Sequence, residues 1–77
     1  MQELIGQNIR RRRQEAGLTL AQLAERMFDN PERKSYISTV ENGQIAIDVA
    51  RLGAFADALN CPAADLLLTV SHNAEKA

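Results

Sequence analysis

Signals that end or start a helix divide this chain into five short segments, and their close spacing is the strongest constraint on its fold. Gly17 closes a first segment, because glycine readily adopts the left-handed conformation found at helix ends. Thr19, with Gln22 three residues later, has the form of a capping box at the start of a second. The remaining signals are Asn30-Pro31, Asn42-Gly43, Asp48 and Pro62. This spacing leaves room only for short helices with tight connections.

Each segment also carries apolar residues at helical spacing, as expected for helices with one buried face. The predicted helices run from about Glu3 to Ala16, from Thr19 through Met27, from about Pro31 to Asn42, from Asp48 through Leu59, and onward from Pro62. A chain of 77 residues is long enough for one domain only. We therefore predict a compact, all-α, five-helix domain over residues 1–70. Residues 71–77 have no apolar anchor and are expected to form a flexible tail.

Several classes of protein are disfavoured by what the sequence lacks. The single cysteine, Cys61, cannot form an internal disulfide, which fits a reducing compartment and predicts a cytoplasmic protein. No apolar run approaches the ~18 residues that a membrane span needs. His72 stands alone in the expected tail, and the sequence has no catalytic triad pattern, paired metal-ligand spacing or glycine-rich phosphate loop. We expect no enzymatic activity, no metal or other cofactor, and no membrane partner.

The charge of the chain is nearly balanced but unevenly distributed. The formal net charge is −1. Residues 1–44 contain seven Lys and Arg against six Asp and Glu, whereas residues 45–77 contain two against four. A basic N-terminal half is typical of nucleic-acid binding, but a solvated helix face produces the same bias. Charge alone therefore does not choose between these two interpretations.

The stretch KSYISTVENG, residues 34–43, makes up most of the third predicted helix and has an unusual outer face. Ile37 and Val40 lie three residues apart and are expected to face inward. The outward positions then fall to small or polar side chains, namely Lys34, Ser35, Ser38 and Thr39. A short turn joins this helix to the second, which is the helix-turn-helix layout, in which the later helix enters the major groove of DNA. A polar surface helix without a ligand would show the same periodicity.

The ordered motifs of the chain resemble those of the Cro/phage-repressor class of helix-turn-helix proteins, also called the XRE family. The resemblance extends from about Ile5 to Leu67. The matching pieces are Ile9-Arg10-Arg11-Arg12-Arg13, Ala16-Gly17-Leu18-Thr19, Leu23-Ala24-Glu25, Ser35-Tyr36-Ile37-Ser38, Val40-Glu41-Asn42-Gly43, and Leu52 through Ala58-Leu59. The resemblance implies a lambda-repressor-like fold. It also implies a transcriptional repressor that binds a palindromic operator in double-stranded DNA as a homodimer.

The resemblance also suggests roles for individual residues. It places Lys34, Ser35 and Thr39 at base-reading positions. The phosphate contacts expected in the interface are Arg10, Arg11, Arg33, Ser38, Asn42 and Gln44. Arg13 and Glu41 match a salt bridge between the first and third helices. Such a pairing is physically reasonable, because a carboxylate close to DNA would repel phosphate unless a cation neutralised it.

Two departures from the family pattern affect these assignments. Leu20 stands where the family usually has a glutamine that contacts phosphate. Between Ala24 and Glu41 this chain also has about three residues more than the family. These residues either lengthen the turn or add a turn to the start of the recognition helix, and the Asn30-Pro31 signal favours the added turn.

The C-terminal part of the predicted domain is more apolar than one helix needs for its own burial. Leu66, Leu67, Leu68 and Val70 are therefore expected to contact a second subunit. The nearly balanced charge and Leu20 leave open a protein-interaction module on the same fold. A second alternative is an antitoxin that binds a toxin partner and also represses its own operon.

Overall fold

The computed structural model of the protein describes residues 2–67, which form four α-helices and two 3-10 helices. In chain order these are α1 (Gln2–Glu15), α2 (Leu20–Phe28), a first 3-10 helix (Pro31–Arg33), α3 (Lys34–Glu41), α4 (Val49–Leu59) and a second 3-10 helix (Ala63–Leu67). This stretch contains no β-strand. None of its helices is long and apolar enough to cross a membrane. The predicted all-α fold is therefore confirmed.

The predicted capping residues close the starts of α2 and α4. The Thr19 hydroxyl accepts the Gln22 backbone N–H at 3.1 Å, and the Gln22 side chain accepts the Thr19 N–H at 2.8 Å, which completes a capping box. Asp48 accepts the Arg51 backbone N–H at 2.8 Å at the start of α4. Each contact satisfies a backbone N–H that has no partner within its own helix.

The extra residues between α2 and α3 form a turn of 3-10 helix. The Asn30 side chain accepts the Glu32 N–H at 3.0 Å, and Pro31 occupies the first helical position, where its missing N–H costs nothing. The Lys34 N–H then bonds to the Pro31 carbonyl, so this turn runs directly into α3. The extra residues therefore add a helical turn at the start of α3. The first three residues of the expected helix are 3-10 in form because they use the tighter i to i+3 bond.

One apolar core joins all four α-helices and the second 3-10 helix. Its members are Ile5, Ile9, Leu23, Ala24, Ile37, Val40, Leu52, Phe55, Ala56, Leu59 and Leu66. Ile45 and Ile47, in the connection between α3 and α4, pack against the edge of this core. The apolar stretch that follows Gly43 therefore packs inward.

The fifth expected helix, which was predicted to begin at Pro62, is a 3-10 helix over Ala63–Leu67. Side chains of α1 hold it in place. The buried Asn8 side chain donates to the Leu66 carbonyl at 2.9 Å, and the Arg12 guanidinium pairs with Asp65. These contacts attach the segment to α1. Leu68, Val70, His72 and the expected tail lie outside the described residues.

Helices α1 and α3 approach each other very closely at Gly6. A Cβ atom at this position would lie 2.3 Å from the Val40 carbonyl oxygen and 2.7 Å from that of Glu41. Only glycine allows this separation, because every other residue would bring a carbon atom into the backbone of α3. The C-terminal half of α3 therefore packs directly against the backbone of α1.

Candidate nucleic-acid interface

The outer surface of α3 consists of Lys34 and small polar side chains, on a helix anchored from the opposite side. Ile37, Val40 and Glu41 are buried, whereas Lys34 and Ser35 are exposed. Ser38 and Thr39 are partly buried, and Asn42 is exposed at the end of the helix. Short side chains leave the α3 backbone accessible, which is a property that would allow such a helix to enter the major groove of DNA.

Thr39 is fixed by a hydrogen bond to the preceding turn of α3. Its hydroxyl donates to the Ser35 carbonyl at 2.9 Å. The bond uses the hydroxyl proton and leaves the oxygen free to accept a hydrogen bond from a base. Thr39 is therefore held in one orientation as an acceptor.

The structure brings Arg13 and Glu41 together in a two-point ion pair. Arg13 Nε lies 2.6 Å from Glu41 Oε2, and Arg13 Nη2 lies 3.0 Å from Oε1. The Glu41 side chain is only 1% exposed. Arg13 Nη1 also donates to the Leu18 carbonyl at 2.8 Å, which ties the pair to the connection before α2. One buried carboxylate thus links three parts of the chain.

Arg10 is a third member of this cluster, and sequence reasoning missed its contact with Glu41. Its Nε lies 3.2 Å from Glu41 Oε1, and its Nη2 donates to Asn42 Oδ1 at 2.8 Å. The side chain is 47% exposed, so part of the guanidinium still faces solvent. The spacing of Arg10 and Arg13, three residues apart on one helix, places both on the same face and is the sequence signal for this contact.

Arg11 lies on a different face of α1, away from α3. Its Nη2 donates to Asn8 Oδ1 at 3.1 Å, and its Nη1 lies 3.7 Å from Glu15 Oε2. Asn8 in turn bonds to the second 3-10 helix. The structure therefore separates Arg11 from the other expected DNA-contacting residues.

The turn after α3 is held by backbone and side-chain bonds. The Gln44 N–H bonds to the Thr39 carbonyl at 3.2 Å, and the Gln2 side chain donates to the Gly43 carbonyl at 2.9 Å. Gly43 has a φ of 72°, and a Cβ there would lie 2.9 Å from the Glu3 Cα. Both constraints require glycine. Asn42 and Gln44 consequently project from a fixed turn and are both exposed.

Three other residues noted in the sequence have packing roles. Tyr36 contacts Phe28 edge-to-face at 5.7 Å and stacks on Phe55 at 6.4 Å between ring centroids, so its ring is an internal packing group. Leu20 and Cys61 both pack against the core. Burial raises the pKa of the Cys61 thiol, which favours its uncharged form at neutral pH.

This arrangement of helices and side chains matches a known family. The HTH_3 helix-turn-helix family model matches residues 9–66. The chain belongs to this family. Helix-turn-helix domains of this type bind DNA and occur in transcription regulators. In this domain α2 and α3 are the helix-turn-helix pair, and α3 is the recognition helix.

A solved structure supports the same assignment. The crystal structure of the clp gene regulator ClgR from C. glutamicum is 32% identical in sequence and superposes with a TM-score of 0.76. The alignment covers 86% of this chain and 82% of that chain. Comparison with curated protein sequences finds no significant match.

Proposed function

We propose that this domain represses transcription by binding a palindromic operator as a homodimer. The observation that best supports this proposal is the outer face of α3. Its side chains are polar and mostly small, and buried Glu41 anchors the helix from the opposite side. A helix held so firmly presents its donors and acceptors in fixed positions. Fixed positions are needed to distinguish base pairs by hydrogen bonding.

Lys34, Ser35 and Thr39 are the proposed base-reading residues. The Lys34 amine can donate to O6 and N7 of guanine, whereas Ser35 and Thr39 can pair with several base edges. Lys34 and Ser35 are exposed, and Lys34 forms no ion pair within residues 2–67. Their polar groups are therefore available to a ligand.

The proposed phosphate contacts lie around this face. Arg33 stands before α3, Asn42 and Gln44 follow it, and Ser38 lies within it. Because Arg10 bonds to the Asn42 side-chain oxygen, it orients the Asn42 amide so that its N–H groups remain free to donate to phosphate.

Arg10 itself has enough exposed surface to contact phosphate as well as Glu41. Arg11 bonds to Asn8 and Glu15 within α1 and does not contact α3, so its proposed contribution is limited to long-range attraction of DNA.

A homodimer is supported by apolar surface at the end of the described chain. Leu67 is 45% exposed although it follows the fully buried Leu66. Leu68 and Val70 continue the apolar run in sequence. A two-fold dimer through this segment would place one α3 helix on each half of a palindrome. The similar C. glutamicum protein is a gene regulator, which supports a regulatory role for this chain.

Selection of DNA fragments from a random pool by the purified protein, followed by gel-shift titration, tests this function. We expect an enriched palindrome and affinity that falls as salt rises. Ser35→Glu should abolish binding, because it places a carboxylate in the groove. Asn60→Asp is the matched control, because it makes the same change of charge at the exposed far end of α4 and should bind almost normally. Failure to enrich any sequence, with no salt-dependent binding, would contradict the proposal and favour a protein-interaction module.

A further inference from the structure

Two arginines share one pair of aromatic rings beside the start of α3. The Arg33 guanidinium carbon lies 4.4 Å from the Phe28 ring centroid and 5.8 Å from that of Tyr36. The Arg51 guanidinium carbon lies 5.2 Å and 5.4 Å from the same two centroids. We refer to Phe28, Arg33, Tyr36 and Arg51 as the arginine–aromatic cluster. It joins the end of α2, the first 3-10 helix, α3 and α4 in one place.

The rings of this cluster form a supported surface. Phe28 and Tyr36 meet at an interplanar angle of 79°, and Tyr36 stacks on the fully buried Phe55. A guanidinium that lies on an aromatic face is attracted by the ring and loses part of its conformational freedom. The two cations are therefore partly ordered before any ligand arrives.

Neither cation of the cluster is neutralised by a carboxylate. Among residues 2–67 the ion pairs involve the four arginines of α1, and none includes Arg33 or Arg51. The nearby Asp48 carboxylate caps α4 by accepting the Arg51 backbone N–H. Asp29 and Glu32 are exposed and form no ion pair in this part of the chain. Two like charges on one ring pair repel each other, and a shared anion would remove that repulsion.

The cluster lies on one flank of the recognition surface. Successive residues of an α-helix are ~100° apart, so Tyr36 lies beside the outward Ser35 and Thr39 on the flank away from Glu41. Arg10 and Asn42 lie on the opposite flank, where Glu41 faces α1. When a helix enters the major groove, its two flanks face the two phosphate backbones that border the groove. Each flank of α3 therefore carries arginine at the place where one strand would pass.

We propose that Arg33 and Arg51 together bind a backbone phosphate of the DNA strand next to the start of α3. This inference rests on the proposed DNA binding and adds Arg51, a residue of α4, to the interface. The phosphate oxygens would accept hydrogen bonds from the guanidinium N–H groups. Arginine favours this contact because one guanidinium can donate two parallel hydrogen bonds to a phosphate. Arg33 belongs to the added 3-10 turn, Pro31–Arg33, and this turn places its guanidinium against the same aromatic rings as that of Arg51.

Salt-dependent binding of Arg51→Gln to the selected operator tests the site. Losing one phosphate contact should lower the slope of log affinity against log salt by about 0.9. The loss should be the same for operators that differ at single base pairs, because a phosphate carries no base information. Arg26→Gln is the matched control. It removes the same charge from a guanidinium that donates to the Ala58 carbonyl near the other end of α4. A slope for Arg51→Gln equal to that of Arg26→Gln would overturn the proposal.

Phe28→Leu tests the role of the rings without a change of charge. The salt slope should stay near the wild-type value, whereas affinity should fall about two- to fivefold as the guanidiniums lose their support. Circular dichroism confirms that the variant is folded at the assay temperature. Unchanged affinity of the folded variant would show that the rings do not organise the site. If the wild-type protein binds no DNA, the proposed function itself fails. If it binds while Arg51→Gln retains the full slope, only the cluster assignment fails.

Discussion

Glu41 is the residue on which the recognition surface depends most. A carboxylate with a 1% exposed side chain is costly unless cations and hydrogen bonds replace its water. Arg13 supplies two contacts and Arg10 a third. Together they also cancel a negative charge that would otherwise repel phosphate next to the proposed base-reading face. The same carboxylate thus fixes α3 against α1 and makes the helix compatible with DNA.

A double-mutant cycle on this pair gives the first prediction. Glu41→Gln should destabilise the fold by ~3–5 kcal/mol, because it leaves a largely buried arginine without its partner. Arg13→Met should cost less, since Arg10 still neutralises Glu41. The double variant should lose less than the sum of the two, which urea unfolding can measure. Additive losses in the cycle would show that the two side chains are not energetically coupled.

Base reading by Lys34 gives the second prediction. Lys34→Ala should cost ~1–3 kcal/mol on the preferred operator and relax the preference at one base pair in each half-site. Arg33→Ala, one residue earlier, should instead weaken binding to all sequences and lower the salt slope by about one. Titration of both variants against a panel of operator mutants at several salt concentrations separates these effects. A uniform loss for Lys34→Ala across the panel would require a different register for α3.

The residues of the interface differ in how far the sequence could reveal them. The resemblance paired Arg13 with Glu41, 28 positions away, and the structure shows that contact. The bonds from Arg10 to Asn42 and the contacts of Arg33 and Arg51 with the shared rings follow only from the crossing of helices. A run of four arginines looks uniform in sequence. In the structure Arg10 and Arg13 bond to Glu41 of α3. Arg12 pairs with Asp65 of the second 3-10 helix, and Arg11 bonds to Asn8 within α1.

At the scale of the elements, local signals predicted where helices begin but not always their form. Thr19 and Asp48 cap α2 and α4 as predicted, because capping is a contact between near neighbours. The Asn30-Pro31 signal did mark a start, but Pro31–Arg33 is 3-10. Pro62 precedes a 3-10 helix that is attached to Asn8 and Arg12 of α1. Such distant partners leave no local pattern.

The close contact between α1 and α3 gives the third prediction. Gly6→Ala should destabilise the domain by ~1–3 kcal/mol, because the added carbon would overlap the Val40 and Glu41 carbonyls. Helix propensity alone would predict the opposite, a gain of up to ~1 kcal/mol. Gly53→Ala in α4 is the control, since a Cβ there meets no atom within 4 Å, and it should show that gain. Thermal unfolding of both variants measures these changes in stability. A stabilised Gly6→Ala would contradict the close contact between α1 and α3.

At the scale of the whole molecule, small size makes association advantageous. A chain of 77 residues buries only about 60% of the surface that it exposes when unfolded. A single α3 helix also contacts few base pairs, which limits both affinity and selectivity for a site. A second subunit would address both limits by covering apolar surface and by adding a second recognition helix.

The proposed dimer gives the fourth prediction. Leu67→Glu should shift the protein toward monomer in sedimentation at micromolar concentration, because it places a charge in the proposed apolar contact. Val49→Glu is the matched variant, since Val49 is also apolar and is 85% exposed at the start of α4. It should remain dimeric.

If the subunits associate as proposed, the half-sites of the selected operator should lie roughly 34 Å apart, one turn of DNA. Inserting five base pairs between them should then abolish binding to the pair, because it rotates one half-site by about half a turn. A wild-type protein that stays monomeric on DNA, or a monomer produced by Val49→Glu alone, would place the association surface elsewhere or remove it altogether.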